Sequence, residues 1–211
     1  MRGFLLLPAD IGRLVSVHRN INNAVIIPRI EVSMARIAAE AAGGQNVVAF
    51  LDMLAASEID KWTRQNSDDG YNVLVGSHGP ITKKSSAGGT YVVPARLLTF
   101  PSYAKHPGIY NAELNSTAAG RYQLLSRYYA PYAKLLKLDD FSPLSQDMIA
   151  IQQIRERRAL PLIVAGQLAA AIKACSNIWA SLPGNDYGQR QNELAMLTAA
   201  YRAAGGVVAI A

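Results

Sequence analysis

Glu58 is the residue in this sequence best placed for acid–base chemistry. It follows Gln45 to Ser57, where Val47, Phe50, Leu51, Leu54 and Ala55 recur at the i, i+3, i+4, i+7 spacing of an amphipathic helix. A carboxyl at or just beyond the end of that helix has Ala55, Ala56 and Ile59 as neighbours. Partial burial raises a carboxyl pKa, and an acid still protonated near neutrality can protonate the leaving oxygen of a glycosidic bond. From spacing alone, a solvated surface glutamate is the simpler reading.

Other reactive residue types give weaker leads. A two-carboxylate hydrolase needs a second acid at roughly 5–9.5 Å across a groove. Asp60, Asp68 and Asp69 are near Glu58 in sequence but fall in a polar connection and read as solvated loop residues. Cys175, the single cysteine, excludes an internal disulfide and reads as a small buried hydrophobe. His18, His78 and His106 have neither a cysteine partner nor a histidine at ligand spacing, so no metal is expected. His106-Pro107 reads as a solvated loop. Gly88-Gly89 and Gly205-Gly206 lack the Lys-Ser/Thr pattern that cradles phosphate, and no cofactor is expected.

The 211 residues suit one domain, and with 50% hydrophobic residues a sizeable core can form. The net charge of +6 favours a polyanionic partner such as nucleic acid, an anionic membrane or the bacterial wall. Lysines and arginines are scattered rather than gathered in a tract, which argues against nucleic acid. No run approaches the ~18 apolar residues of a membrane span, and Phe4 to Leu7 is too short for a secretory signal.

The elements that must position Glu58 follow from the pattern along the chain. After the helix of residues 45–57, Tyr71 to Val75 is a short β-like run ended by Gly76. Residues 76 to 90, rich in Gly, Ser and Lys, read as a mobile excursion, and Tyr91-Val92-Val93 as a second strand limited to an edge by Pro94. Ala118 to Leu136 reads as one or two helices interrupted near Pro131. Ser142-Pro143 is a helix start, N-cap then proline, for a helix running to about Arg158. Leu162 to Ile178 forms a further helix bent or broken at Gly166, and Gln189 to Ala204 the closing one, stopped by Gly205-Gly206. The expected class is α+β, mainly helical, with a small β-region after the first helix.

Residues 1–33 are set apart as an N-terminal extension, their apolar runs broken by Pro8, Pro28 and several asparagines. Glu31-Val32 can be encoded by GAGGT, which resembles a ribosome-binding site ahead of Met34. Translation from Met34 is one reading, and a dispensable or disordered extension the other. Residues 34–211 form the expected catalytic domain.

Several blocks, in order, resemble the lambda-type phage endolysins, a family of lytic transglycosylases. Phe50 to Ala55 followed by Ser57-Glu58 is similar to the family's catalytic helix, and Gly70 to Gly76 to its β-region. Ala119 to Arg127 resembles its groove-lining helix. Asp140 to Pro143, Ser145 to Asp147, Gln153 to Arg157 and Ala159 to Pro161 continue the match. Cys175 to Gly184, then Tyr187 to Gln189, is the most specific stretch. The resemblance runs from about residue 48 to Val207.

The resemblance implies a lysozyme-like fold and cleavage of the β-1,4 bond between N-acetylmuramic acid and N-acetylglucosamine in peptidoglycan. Glu58 would protonate the leaving oxygen, then take a proton from the sugar's own 6-hydroxyl as that group closes a 1,6-anhydro ring. Tyr122 and Gln123 would line the glycan groove, with Asn72, Tyr71, Trp179 and Tyr187 as further substrate contacts. Ser176, Asn177 and Tyr187 would support the site from behind, and Tyr122 and Trp179 have core packing as the alternative. Asn72 stands where the family's namesake has an acid, which leans towards transglycosylation over hydrolysis. Ile59-Asp60 replaces a small Gly-Thr pair, and Ser77 to Lys105 is longer, as a larger flap or an added loop. His106-Pro107 matches a His-Pro of the family's β-region, which implies that it shapes the groove as the alternative to a solvated loop. The family context implies a monomer without stable membrane insertion, held in the host cytoplasm and released to the wall through a separate pore. A hydrolytic muramidase and a non-catalytic wall-binding or phage structural module are the rival readings.

Overall fold

The computed structural model describes residues 35–86, 88–184, 188 and 191–209. The expectations for residues 1–33, for a start at Met34, for His18 and for Tyr187 fall outside these residues. Eight helices and one hairpin are present among the described residues: α1 (Ala39–Ala42), α2 (Gln45–Glu58), α3 (Lys61–Gln65), β1 (Ile81–Lys84), β2 (Thr90–Val93), α4 (Ser126–Leu136), α5 (Pro143–Glu156), α6 (Leu160–Val164), α7 (Leu168–Cys175) and α8 (Leu194–Ala203). This is the expected α+β architecture, a helical body with a small β-region following the first long helix.

The body is built around α2, which packs against α1, α5, α6 and α8. Every residue from Val47 to Ala55 is buried, so the helix is enclosed on all sides rather than along one stripe. Phe50, Leu51, Met53 and Leu54 join Ile154, Ile163, Ile172, Leu197 and Tyr201 in one core. A smaller cluster of Phe100, Ala119, Leu124, Phe141 and Ile149 lies beneath the β-region. Enclosure of α2 fixes the place of its last residue, Glu58. The helix ends there because Ile59 is extended, φ −132 and ψ 125, and its N–H closes on the Ala55 carbonyl.

The β-region differs from expectation. Tyr71 to Val75 is not a continuous strand: only Val73 and Leu74 form single bridges, to Thr99 and Ala119. The segment read as mobile instead supplies β1, which pairs antiparallel with β2, Ile81 opposite Val93 and Lys84 opposite Thr90. The His78–Arg96 bridge lies on the way from the body to this hairpin. All four β1 residues are exposed, so the strand lacked the one-sided apolar alternation that reveals a half-buried one.

The block Ala118 to Leu125 is not helical either. Ala119 and Leu124 bridge each other, and Gly120 and Gln123 take positive φ values of 79° and 49°. Gly120 is required there, since a Cβ would sit 2.2 Å from Gln146 Oε1. The helix begins only at Ser126 and continues through Pro131, which is exposed, so the carbonyl its missing N–H leaves free can reach water. The start of α5 is as read, with Ser142 accepting from Ser145 N and Pro143 opening the helix. Gly166, φ 71°, separates α6 from α7. The closing helix starts later than expected, at Leu194.

Candidate active site

Glu58 opens onto a cleft of about 620 Å³. One wall comes from the β-region, Val73 to Ser77 and Leu114 to Ser116. The other comes from Tyr122 to Leu125, with Gln153, Ile178, Trp179 and Ala180. Glu58 is the only acidic residue among the described residues of this lining. No group of three His, Cys, Asp or Glu able to hold a metal occurs among the described residues.

The carboxyl is held on one side only. Ser181 donates its hydroxyl to Glu58 Oε1. Ser57 Oγ lies 2.6 Å from Ser181 Oγ, and Asn192 Nδ2 donates to Ser57 Oγ at 3.0 Å and to the Ser57 carbonyl at 3.1 Å. With the Ser181 proton directed at Glu58, Ser57 must donate to Ser181, giving a one-way chain Asn192→Ser57→Ser181→Glu58. Oε2 has no hydrogen-bond partner among the described residues. Burial pushes the Glu58 carboxyl up to about 7, and the Ser181 hydrogen bond opposes this without cancelling it. Its place at a helix C-terminus also disfavours negative charge there. With Oε1 engaged as acceptor, the acidic proton belongs on Oε2, free to meet a ligand. None of Ser57, Ser181 or Asn192 was singled out from sequence. Ser57 adjoins Glu58 and Ser181 lies in the Cys175–Gly184 block, but neither fact reveals a contact across 123 residues.

The other expected site residues divide. Gln123 lines the cleft, its Nε2 turned back to the Gly120 carbonyl at 2.9 Å. Tyr122 and Trp179 also border it, yet both are nearly inaccessible, 5% and 3% exposed. The Tyr122 hydroxyl points inward and donates to Asp147 Oδ1 at 2.7 Å, so it is not available to a sugar. Trp179 Nε1 donates to the Tyr122 carbonyl at 3.2 Å, tying two segments of the same wall together. Tyr71 was expected to contact substrate but is fully buried, its hydroxyl donating to Asp147 Oδ1 at 2.8 Å. Asn72 is not in the lining; its Oδ1 accepts from Asp68 N at 3.0 Å and closes a turn. Ser176 bonds the Lys173 and Gly184 carbonyls rather than Glu58.

Three acids read as solvated are structural. Asp60 caps α3, accepting from Thr63 N at 3.0 Å and Thr63 Oγ1 at 2.6 Å, and it holds Gly79 N at 3.1 Å. It therefore ties the start of the hairpin arm to the residue pair beside Glu58. Asp68 accepts from the Tyr103 hydroxyl at 2.7 Å and from Arg36 Nη2 at 2.9 Å. Asp69 pairs with Arg121 at 3.1 Å. His106 is neither solvated nor in the cleft. It is buried, 4.8 Å between ring centroids from Phe141, with Nε2 against the Leu124 carbonyl, and burial lowers its pKa. Cys175 is buried and its thiol is pushed up to about 12, as a core residue would be.

Behind the cleft, Arg121 organises a buried polar cluster that the sequence did not disclose. Its guanidinium meets Asp52 Oδ1 at 2.8 Å and the Tyr122 hydroxyl at 3.2 Å, with no exposure of its own. Asp147 collects the Tyr71 and Tyr122 hydroxyls, and its Oδ2 accepts from Arg36 N at 2.7 Å and Ile37 N at 2.8 Å. Burial pushes Asp52 up to about 6 despite Arg121, and Asp52 Oδ2 has no hydrogen-bond partner among the described residues. This cluster locks Tyr122, hence one wall of the cleft, onto the helix that ends in Glu58.

The chain was compared with known proteins on this basis. A family model described as Endolysin matches residues 48–208. The endolysin of Escherichia phage lambda is 46% identical over 164 residues, covering 76% of this chain and 91% of that protein. The endolysin of Escherichia phage P2 is 43% identical over 173 residues, covering 78% and 96%. The structure of bacteriophage lambda lysozyme complexed with a chitohexasaccharide superposes with a TM-score of 0.64 at 45% identity, over 78% of this chain and 96% of that one. A second lambda lysozyme structure gives a TM-score of 0.61. The fold is therefore lysozyme-like, and the chain belongs to the phage endolysin family, as an enzyme of lysozyme type.

Proposed function

We propose that the peptidoglycan-degrading activity of this endolysin is that of a lytic transglycosylase, with Glu58 as its acid and base. The observation that carries this reading is a cleft whose described lining holds one carboxyl, raised to about 7 and with one oxygen uncommitted. Protonated Oε2 donates to the bridging oxygen as the C1–O bond breaks. The carboxylate so formed accepts the proton of the muramic 6-hydroxyl while that oxygen bonds to C1. Glu58 returns to its acid form, and no water is consumed. The internal nucleophile has a high effective concentration, so a second carboxylate to activate water is not needed. A glycan ligand suits the cleft, as does the chitohexasaccharide bound by the lambda lysozyme.

Digestion of purified sacculi by the wild type and by Glu58→Gln, with mass analysis of the products, tests both parts. Anhydromuramic ends, one water lighter than reducing ends, are expected from the wild type, and intact sacculi from the variant. Reducing ends would replace the transglycosylase reading with hydrolysis, and an active variant would remove Glu58 from its role.

A further inference from the structure

A second cavity of about 610 Å³ continues from the cleft, and the glycan reading does not account for it. Leu125, Tyr128, Gln153, Ile178 and Ala180 line both spaces, so they abut. What the second adds is Arg127 and Tyr132 from α4, Arg157 at the end of α5, and Asn177. No acid lines it among the described residues. Both arginines are exposed, and neither makes an ion pair with a described residue. The neighbouring acid, Glu156, has both oxygens engaged, by the Tyr132 hydroxyl at 2.7 Å and Gln152 Nε2 at 3.1 Å. Arg127 Cζ lies over the Tyr128 ring, 5.0 Å from its centroid.

We infer that this cavity is a subsite for the carboxylate-bearing peptide attached to the muramic residues of the same glycan strand. The inference rests on the reading of the cleft as the glycan site. Two arginines with free planar forks suit carboxylates, which they bind in a bidentate manner. Tyr128, Tyr132, Leu125 and Ile178 offer apolar surface for the short aliphatic side chains between those carboxylates. Continuity with the cleft favours a group covalently tied to the glycan over a separate polymer.

The test compares peptide-bearing glycan strands with the same strands stripped by an amidase, using wild type and Arg127→Ala/Arg157→Ala. On peptide-bearing strands the double variant should raise KM roughly tenfold or more, the loss expected for charge-assisted contacts, with kcat little changed. On stripped strands the two proteins should agree within about twofold. The lysine pair, Arg127→Lys/Arg157→Lys, should recover part of the difference. An equal change on both substrates, or none on either, overturns the subsite. Calorimetry with the free stem peptide reads the subsite without catalysis: wild type should bind and the alanine pair should not. Competition by a phosphate-bearing wall polymer but not by the peptide would overturn the peptide assignment. Failure of the wild type to cut stripped strands, by contrast, counts against the glycan reading itself.

Discussion

Ser181 donates to Oε1 of Glu58 at 2.5 Å, from a turn 123 residues further along the chain. The bond fixes which carboxyl oxygen faces the cleft, and it favours the charged form of an acid that burial keeps protonated to about 7. Ser181→Ala removes the opposing influence, so the Glu58 pKa should rise further. A pH profile of kcat/KM should show its basic limb displaced upward by roughly 0.5–1 unit, the worth of one neutral hydrogen bond. Ser181→Thr, which keeps the hydroxyl, should leave the limb near its wild-type position. An unshifted limb in the alanine variant would separate Ser181 from the titration of Glu58.

Glu58→Gln should lower activity by roughly 10²–10⁴-fold or more, as loss of a general acid does. It should also stabilise the protein at alkaline pH. The carboxyl is raised from 4.5 to about 7, so the folded protein holds this proton more tightly than the unfolded chain. Stability from this group is therefore lost as pH rises through that window. Glutamine, having no proton to lose, escapes the loss. Allowing for contact of Glu58 with water in the cleft, the gain is about 1–2 kcal/mol at about pH 8 and small near pH 5. Thermal melts of both proteins across this range measure it, and a difference that does not grow with pH contradicts the burial of Glu58.

Where local chemistry decides the conformation, the sequence was readable. Ser142-Pro143 carries its own N-cap and fixed φ, and Gly166 has the left-handed φ that breaks α6 from α7. Residues 118–125 misled because their composition suits a helix, while Gly120 and the Arg121 N–H are claimed by Gln146, 25 residues away. Strand β1 hid because all four of its residues are exposed, so no alternation marks it, whereas β2 falls where Tyr91-Val92-Val93 reads as a strand. Glu58 was found through the neighbouring blocks that resemble a family. Its partners Ser181 and Asn192, and the Arg121 cluster, depend on contacts between distant segments that spacing cannot show.

Arg121 should be the most sensitive residue behind the cleft. It is wholly buried and pairs with Asp52 at 2.8 Å and Asp69 at 3.1 Å. Arg121→Met removes the cation and leaves two acids in a site that already disfavours charge, a loss of about 3–5 kcal/mol. Arg121→Lys should recover little, because an ammonium cannot reproduce the planar fork that meets Asp52, Asp69 and Tyr122 together. Denaturant unfolding measures the cost. Combining Arg121→Met with Asp52→Asn should cost less than the sum of the two, since the second change removes one stranded charge.

The hairpin arm should be separable from both the body and the cleft. None of the described residues between 81 and 93 lines the cleft, and nearly all of them are exposed. His78 and Arg96 exchange two backbone hydrogen bonds of 2.8 Å, a rung on which a shorter turn can close, and Asp60 anchors Gly79 just beyond it. Excising Ile81 to Val93 and joining the flanks through a Gly-rich turn should therefore change stability by less than about 1 kcal/mol, as surface changes usually do. Cleavage of short oligosaccharides confined to the cleft should persist with KM within about twofold, the size of a sub-kcal change in binding. A large fall in Tm would mean that the arm supports the β-region. Loss of short-substrate cleavage with the fold intact would place the arm over the glycan.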